Sequence, residues 1–473
     1  MILSGRWVIP VSSSPLDHGA VAIEDSRILE VGPLETVSTH HPGHQLKQFP
    51  RAALLPGLVN THSHLELTVL RGYLEGLNFW QWLRALTRAK YEILTQDDIA
   101  ASALLGAIEA VRAGITTVAD PMDIGASLDA ILTTGLRGVL YQEVFSPKPA
   151  EADEALEKLK DKIRRLESRL SNWPDGAHFP AKHLDHGLSR LADRRTRVTL
   201  GVSPHALYTV SAPLFRQTIA FARDRNYPVC IHVAESEAET QLVEQGSGPM
   251  MESLRRRGVD WTPLGSSPVA YLHDLGALGK ETLLAHCIRL KSSDYEILSQ
   301  QGVSVAHCPK SNVRLRHGFM DLRSMREHHI PTGLGTDSVA ANNSMDLFEE
   351  MRLALGNPCW MKDELTGLTA EDALRMATLG GAEALGFSNR IGSLEPGKQA
   401  DIIAVDLAQP HHLPVFSPVD ALVFSARASD VVFSMADGEV LFEDSQERSW
   451  IAPALLHSIE RAQEKLQDAR SPA

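Results

Sequence analysis

The sequence predicts an α/β protein: a parallel (β/α)8 barrel of the TIM type, carrying a small β-sandwich formed by both chain ends. Three observations predict it. Apolar runs of strand length alternate with longer helical patterns through the middle of the chain, eight such runs can be counted, and turn-broken β texture occupies the two ends. With 473 residues and 43% apolar content, the chain can bury one large barrel and a smaller accessory unit.

In order, residues 1–54 read as the first part of the sandwich, with runs such as Trp7-Val8-Ile9 and Val21-Ala22-Ile23 ahead of a turn at Asp25-Ser26. The barrel is expected over 55–389. Its strands are Leu58-Val59, Thr116-Thr117-Val118, Gly138-Val139-Leu140, Val198 to Val202, Val229-Cys230-Ile231, Thr282 to Ala285, Val303 to Ala306 and Thr332-Gly333-Leu334. The second part of the sandwich is expected over 390–445, where Asp401 to Val405 follows the turn Glu395-Pro396-Gly397 and Val431-Val432-Phe433 precedes the hairpin signal Ala436-Asp437-Gly438. A helix and tail fill 446–473.

Residues 149–197 read as a helical insertion, because the strands on either side are expected closer together. Within it Leu156, Leu159, Ile163, Leu166 and Leu170 recur at helical spacing on a charged background. That pattern predicts a solvated helix packed on the barrel, with a lid or homodimer contact as the alternative. His178, His183 and His186 read as surface histidines.

The formal charge of −13 comes with no Lys/Arg run, so nucleic acid and anionic membranes are excluded as natural partners and a small-molecule substrate is favoured. No signal-peptide pattern opens the chain and no stretch approaches 18 apolar residues, which predicts a soluble cytoplasmic protein. The four cysteines, Cys230, Cys287, Cys308 and Cys359, form no Cys-x-x-Cys pair and are expected reduced and mostly buried.

The strongest chemical signal is Pro56-Gly57-Leu58-Val59-Asn60-Thr61-His62-Ser63-His64, a buried strand ending in two histidines one residue apart. Alternate residues of a strand face the same side, so both imidazoles point to one place, and at the C-terminal mouth of a barrel that place is the active site. His232, His286 and Asp337 stand at the ends of later strands in the same way. Imidazoles with a carboxylate at one mouth suit a borderline divalent ion, Zn²⁺ or Fe²⁺, with a position left for water. Buried without a cation, the same groups would be costly desolvated polar atoms.

In this order, His62-x-His64, His232, His286 and Asp337, the chain resembles the amidohydrolase superfamily, in its branch of cytosine and guanine deaminases, triazine chlorohydrolases and adenosine-derivative deaminases. The resemblance extends through Val202-Ser203-Pro204-His205, His232-Val233-Ala234-Glu235-Ser236, Ala285-His286-Cys287, His307 to Asn312, Leu334 to Ser338 and Pro396 to Ile402. It implies His62, His64, His232 and Asp337 as ligands of the ion, His286 beside the reacting water, and Glu235 as the proton shuttle. Asp337 would also pass a proton to departing ammonia, and His205 would touch substrate. Binuclear relatives carry a bridging lysine near the third or fourth strand. Here those ends read Tyr141-Gln142-Glu143-Val144 and Ser203-Pro204-His205, so the resemblance implies one ion. Ser311 and Asn312 are expected to brace the loop after the seventh strand.

Within the branch, Leu65-Glu66-Leu67-Thr68, Asn78 to Leu83, Glu143-Val144 and Ser267 to Leu272 look like aminodeoxyfutalosine deaminases. Members acting on S-adenosylhomocysteine and methylthioadenosine carry a glutamate for the ribose hydroxyls, and the corresponding position here is Tyr91, beside Glu92. Glu66 is the candidate replacement, with a structural carboxylate as the other reading. Trp80 and Trp82 could wall a purine or be core. Arg314, Arg316 and His317 could meet an acidic substrate group, or form an exposed basic loop. The implied activity is hydrolytic deamination of an aminopurine nucleoside. A chlorohydrolase, or a guanine- or cytosine-type deaminase, on the same site is the alternative, and a non-catalytic scaffold the alternative of another class. The small zinc deaminase pattern is excluded, since Pro358-Cys359 is followed three residues on by Lys362 rather than cysteine.

Overall fold

The computed structural model describes residues 1–174, 193–356, 367–444 and 451–470. Its centre is a parallel sheet of eight strands, each paired with the next in chain order: β1 (Leu58–Asn60), β2 (Ile115–Met122), β3 (Arg137–Val144), β4 (Val198–Pro204), β5 (Val229–Val233), β6 (Thr282–His286), β7 (Ser304–His307) and β8 (Thr332–Leu334). β8 returns to β1 just beyond the strands, where Thr61 N–H donates to Leu334 O and Asp337 N–H to His62 O, both at 2.9 Å. This closes the barrel and sets His62 beside Asp337. A Cβ on Gly335 would lie 2.8 Å from His62 Cβ and 2.9 Å from His62 N, so glycine there lets the two strand exits approach. The eight strands are those read from the sequence. They are buried almost throughout, which is why they read as unbroken apolar runs rather than alternating ones.

The two chain ends share one eight-stranded sheet. Its main path runs Glu439–Glu443, Val431–Ala436, Ile402–Asp406, Leu46–Pro56, Ile2–Val8, Gly19–Glu24, Arg27–Pro33, with Leu16–Asp17 added on Ile2–Val8. All pairs are antiparallel except Ile2–Val8 with Leu46–Pro56. Strands from opposite ends of this path, through Val21, Ile23, Phe433 and Met435, meet in one buried cluster, so the sheet wraps a core of its own. Buried ion pairs tie it to the barrel: Arg137 Nη2 lies 3.1 Å from Asp401 Oδ1, and Arg197 Nη1 2.8 Å from Glu439 Oε2.

The expected insertion is corrected in part. The helix Ala152–Ser171 is the crossover that carries the chain from β3 to β4, so it belongs to the barrel's own repeat. Ala155, Leu159, Ile163 and Leu166 bury one face of it, as the spacing predicts. The departure from expected spacing comes from the segment after this helix. His178, His183 and His186, like Cys359 and Lys362, lie outside the described residues. Cys230, Cys287 and Cys308 are free and buried. Among the described residues no helix is long and apolar enough to cross a membrane.

Candidate metal centre and active site

At the C-terminal mouth of the barrel, β1 delivers His62 and His64, β5 delivers His232, and the turn leaving β8 delivers Asp337. The outward nitrogens of two of these imidazoles are fixed by carbonyls. His64 Nδ1–H donates to Pro121 O (3.0 Å) and His232 Nδ1–H donates to His205 O (3.1 Å). A carbonyl can only accept, so in each neutral ring Nε2 is left as a bare lone pair. Those two Nε2 atoms face each other at 3.4 Å. Asp337 Oδ1 lies 3.8 Å from His62 Nε2 and 3.7 Å from His64 Nε2. Both ring nitrogens of His62 are buried without a hydrogen-bond partner. Donor atoms around a tetrahedral zinc, each about 2.0–2.2 Å from it, stand about 3.3–3.6 Å from one another. His62, His64 and His232 offer ligand atoms within 4.8 Å of one another, with Asp337 Oδ1 beside two of them, a donor set that could hold a divalent ion and would give the buried, unpartnered His62 a partner.

The electrostatics agree. Burial, reinforced by the neighbouring imidazoles, holds His62, His64 and His205 well below the usual histidine range and brings His232 down to about 4. The rings are thus neutral and able to ligate. Burial pushes Asp337 upward, a cost that a bound cation would offset. Its carboxylate is aimed by Ser311 Oγ–H on Oδ2 and by Ser338 N–H on Oδ1 (2.6 Å). Behind His64, Asp120 accepts from Ser63 Oγ–H (2.8 Å), Leu65 N–H (2.8 Å) and Ser127 Oγ–H (2.6 Å), locking the turn that carries His62 and His64. His286 and Asp337 adopt left-handed backbone (φ 76° and 58°), a strained conformation at the site.

Glu235 and His286 stand side by side, with Glu235 Oε1 3.8 Å from His286 Nε2. Asn312 Oδ1 takes the Nδ1 proton of His286 (3.0 Å), so Ser311 and Asn312 do more than brace a loop: each holds a site residue. Although burial pushes Glu235 up, the facing imidazoles of His286 and His317 outweigh it and hold this carboxyl well below its ordinary range. His205 lies against His232 (ring centroids 4.6 Å apart), with Nδ1 2.9 Å from Thr209 Oγ1. Trp82 donates Nε1–H to Ala340 O (3.3 Å) and, with Phe79 and Trp80, walls a cavity of about 380 Å³ that His64, His232 and Asp337 also line.

The contacts of three residues bear on the readings left open for them. Glu66 is no free acceptor: its carboxylate takes four backbone N–H groups, from Asp123 and Ile124 (3.1 Å each) and Gly125 and Ala126 (2.8 Å each). It caps the start of helix Ala126–Thr134, and its lone-pair sites are filled. Arg314 does not face substrate, since Glu75 and Ala341 O engage its guanidinium. His317 is not exposed but buried, with Nε2 3.4 Å from Glu235 Oε1. Lys90 was missed altogether. It lines the cavity with Nζ 3.2 Å from Asp123 Oδ2 and 3.9 Å from Glu143 Oε2, while Tyr91 Oη–H donates to Asp123 Oδ2 (2.7 Å). Its signal was present: Phe79, Leu83, Leu86 and Lys90 share one helical stripe, and a lysine on an apolar stripe marks a cation turned inward.

The comparisons agree with this geometry. Residues 53–441 match the model of the amidohydrolase family, and 19–43 match an imidazolonepropionase-like composite domain of bacteria. A protein of Nitratidesulfovibrio vulgaris named 5-methylthioadenosine/S-adenosylhomocysteine deaminase is 34% identical over 93% of this chain and 91% of its own. One of the same name from Desulfitobacterium hafniense is 31% identical over 94% of each. An adenosine deaminase from Xanthomonas campestris, solved with bound zinc, superposes with a TM-score of 0.82 at 25% identity, over 99% of this chain and 98% of that one. Guanine deaminase from E. coli shares the fold (TM-score 0.73, 20% identity, 94% of this chain and 100% of that one). By sequence along most of its length and by the histidine-bearing strand ends that the barrel brings to one mouth, the chain belongs to the amidohydrolase family and is a hydrolase of carbon–nitrogen bonds.

Proposed function

We propose that the chain binds one Zn²⁺ or Fe²⁺ ion at His62, His64, His232 and Asp337 and hydrolytically deaminates the adenine-type ring of a nucleoside. The observation that carries this reading is the pair of bare Nε2 lone pairs of His64 and His232, 3.4 Å apart beside Asp337 and in the same mouth as Glu235. An ion held there would lower the pKa of a water toward about 7. Glu235, buried and ionised beside His286, is the group placed to take a proton from that water and return it to a ring nitrogen. His286, its Nδ1 proton tied to Asn312, keeps Nε2 for the attacking oxygen. Asp337, with Ser311 on its second oxygen, can relay a proton to the departing amine. The relatives named as deaminases of adenosine derivatives support the ring.

Within that class we assign 6-amino-6-deoxyfutalosine or a related adenosine derivative. Tyr91 occupies the position where the resemblance implies a ribose-binding glutamate, and its hydroxyl is spent on Asp123. The aromatic wall of Phe79, Trp80 and Trp82, with Arg257 on the same cavity, favours a large substituent bearing an acid. The test is ammonia release by the zinc- or iron-loaded protein from 6-amino-6-deoxyfutalosine, 5-methylthioadenosine, S-adenosylhomocysteine, adenosine, guanine, cytosine and a chlorotriazine. Turnover of an adenine nucleoside is expected, and activity confined to the triazine or to simple amides overturns the reading.

A further inference from the structure

Far along the chain from the ligands of the barrel mouth, a second group of imidazoles converges on a carboxylate. His411 and His412 sit in the loop after the strand Ile402–Asp406, and Asp430 immediately precedes the strand Val431–Ala436. His411 Nε2 lies 3.0 Å and His412 Nε2 3.2 Å from the same atom, Asp430 Oδ2. The two rings are 4.1 Å apart between centroids. His412 is fully buried, Asp430 nearly so, and His411 is 31% exposed, which gives the group one face toward solvent.

Proton accounting sets the state of His412. Ser425 Oγ donates its single proton to Ala421 O (2.8 Å), so toward His412 Nδ1, 2.8 Å away, it can only accept. Nδ1 therefore carries the hydrogen, and in the neutral ring Nε2 is a bare lone pair. That nitrogen is buried, has no hydrogen-bond partner, and is turned toward a carboxylate oxygen. Two acceptors so close repel unless a proton or a metal cation lies between them. Asp430 Oδ2 already accepts the Arg427 N–H (2.9 Å), which fixes the carboxylate in place. The three residues offer donor atoms within 4.8 Å of one another, and the 3.0 and 3.2 Å separations, shorter than those at the barrel mouth, are reached by metal–ligand bonds of about 2.0–2.2 Å at angles of about 85–105°.

We propose that His411 Nε2, His412 Nε2 and Asp430 form a second metal site, taking a borderline divalent transition ion of the Zn²⁺ class and completing its shell with water on the exposed side of His411. Two imidazoles and one carboxylate select such ions over Mg²⁺ or Ca²⁺, which prefer all-oxygen shells. The ion would pin the 407–417 loop to the base of the end sheet. It takes no part in the barrel-mouth chemistry, and the proposal stands whether or not the nucleoside reading does.

The test is metal stoichiometry in the intact chain. Protein stripped with chelating resin is dialysed against Zn²⁺ and its metal content measured, for the wild type and for His411→Gln, His412→Gln and Asp430→Asn. The wild type should bind one equivalent more than each variant, with hydrolytic activity retained by all of them. His411→Gln, at a partly exposed position, answers the question should a buried substitution fail to fold. Wild type taking up no more than the variants overturns the proposal and leaves a shared proton between His412 and Asp430. An extra equivalent that persists in all three variants overturns it as well.

Discussion

His64 Nε2 and His232 Nε2 stand 3.4 Å apart, each made a lone pair because a backbone carbonyl holds the hydrogen on the opposite nitrogen. A chelator should therefore lower Tm as well as abolish turnover, since an ion at about 100 times its dissociation constant stabilises the native state by about 2.7 kcal/mol. His232→Ala should cancel this metal-dependent shift in Tm. Metal analysis with scanning calorimetry checks both, and a Tm indifferent to chelator would show that the imidazoles are accommodated without a cation.

Glu66 closes the start of the helix Ala126–Thr134 by accepting four backbone N–H groups. Its removal should act on stability rather than on substrate. Glu66→Ala strands buried donors and should lower unfolding free energy by about 2–4 kcal/mol. The KM of the folded fraction should stay within about twofold, because a residue that touches no substrate removes no binding interaction. A large rise in KM with unchanged stability would return Glu66 to the substrate.

The contrast between His62-x-His64 and Glu66 shows what this sequence makes legible. Alternation along a strand is strictly local, so two histidines one residue apart declare a shared face, and Asp337 was found because it ends the last apolar run. The partners of Glu66 lie some sixty positions on, in a loop without periodic pattern, and its role could not be read from its neighbours. His317 was misplaced for the same reason: its burial against Glu235 depends on how the loop after β7 folds back. Lys90 lay within reach, because it breaks an apolar stripe at a helical position. The wrapped end sheet was legible only as two β-rich ends, since pairing across some 350 residues has no local signature.

Glu235 is held ionised by His286 and His317, and it carries no metal ligand's burden. Glu235→Gln keeps the shape and loses the proton traffic. We expect kcat to fall by about 10²–10⁴ while metal content and Tm hold. His317→Ala should act more mildly, displacing the acid limb of the kcat/KM profile to higher pH, because the carboxylate then loses a partner that favours its charge. A pH–rate profile unchanged in His317→Ala would exclude any electrostatic role for that ring.

Glu239 lies directly behind Glu235 and accepts its backbone N–H on Oε2 (2.9 Å), whereas Oε1 is buried with no partner. Burial pushes this carboxyl up to about 8, against the lowering effect of the N–H groups around it. Unfolded, it titrates near the ordinary glutamate value of about 4.3. Between those two values the folded chain keeps a proton that the unfolded chain has lost. The associated stability is fully present below about pH 4.3 and drains away as pH rises through about 8. Glu239→Gln keeps an oxygen for the Glu235 N–H and has no proton to surrender, so its Tm should fall less steeply than that of the wild type from pH 6 to 9. Parallel Tm curves would mean that Glu239 is already ionised in the native state.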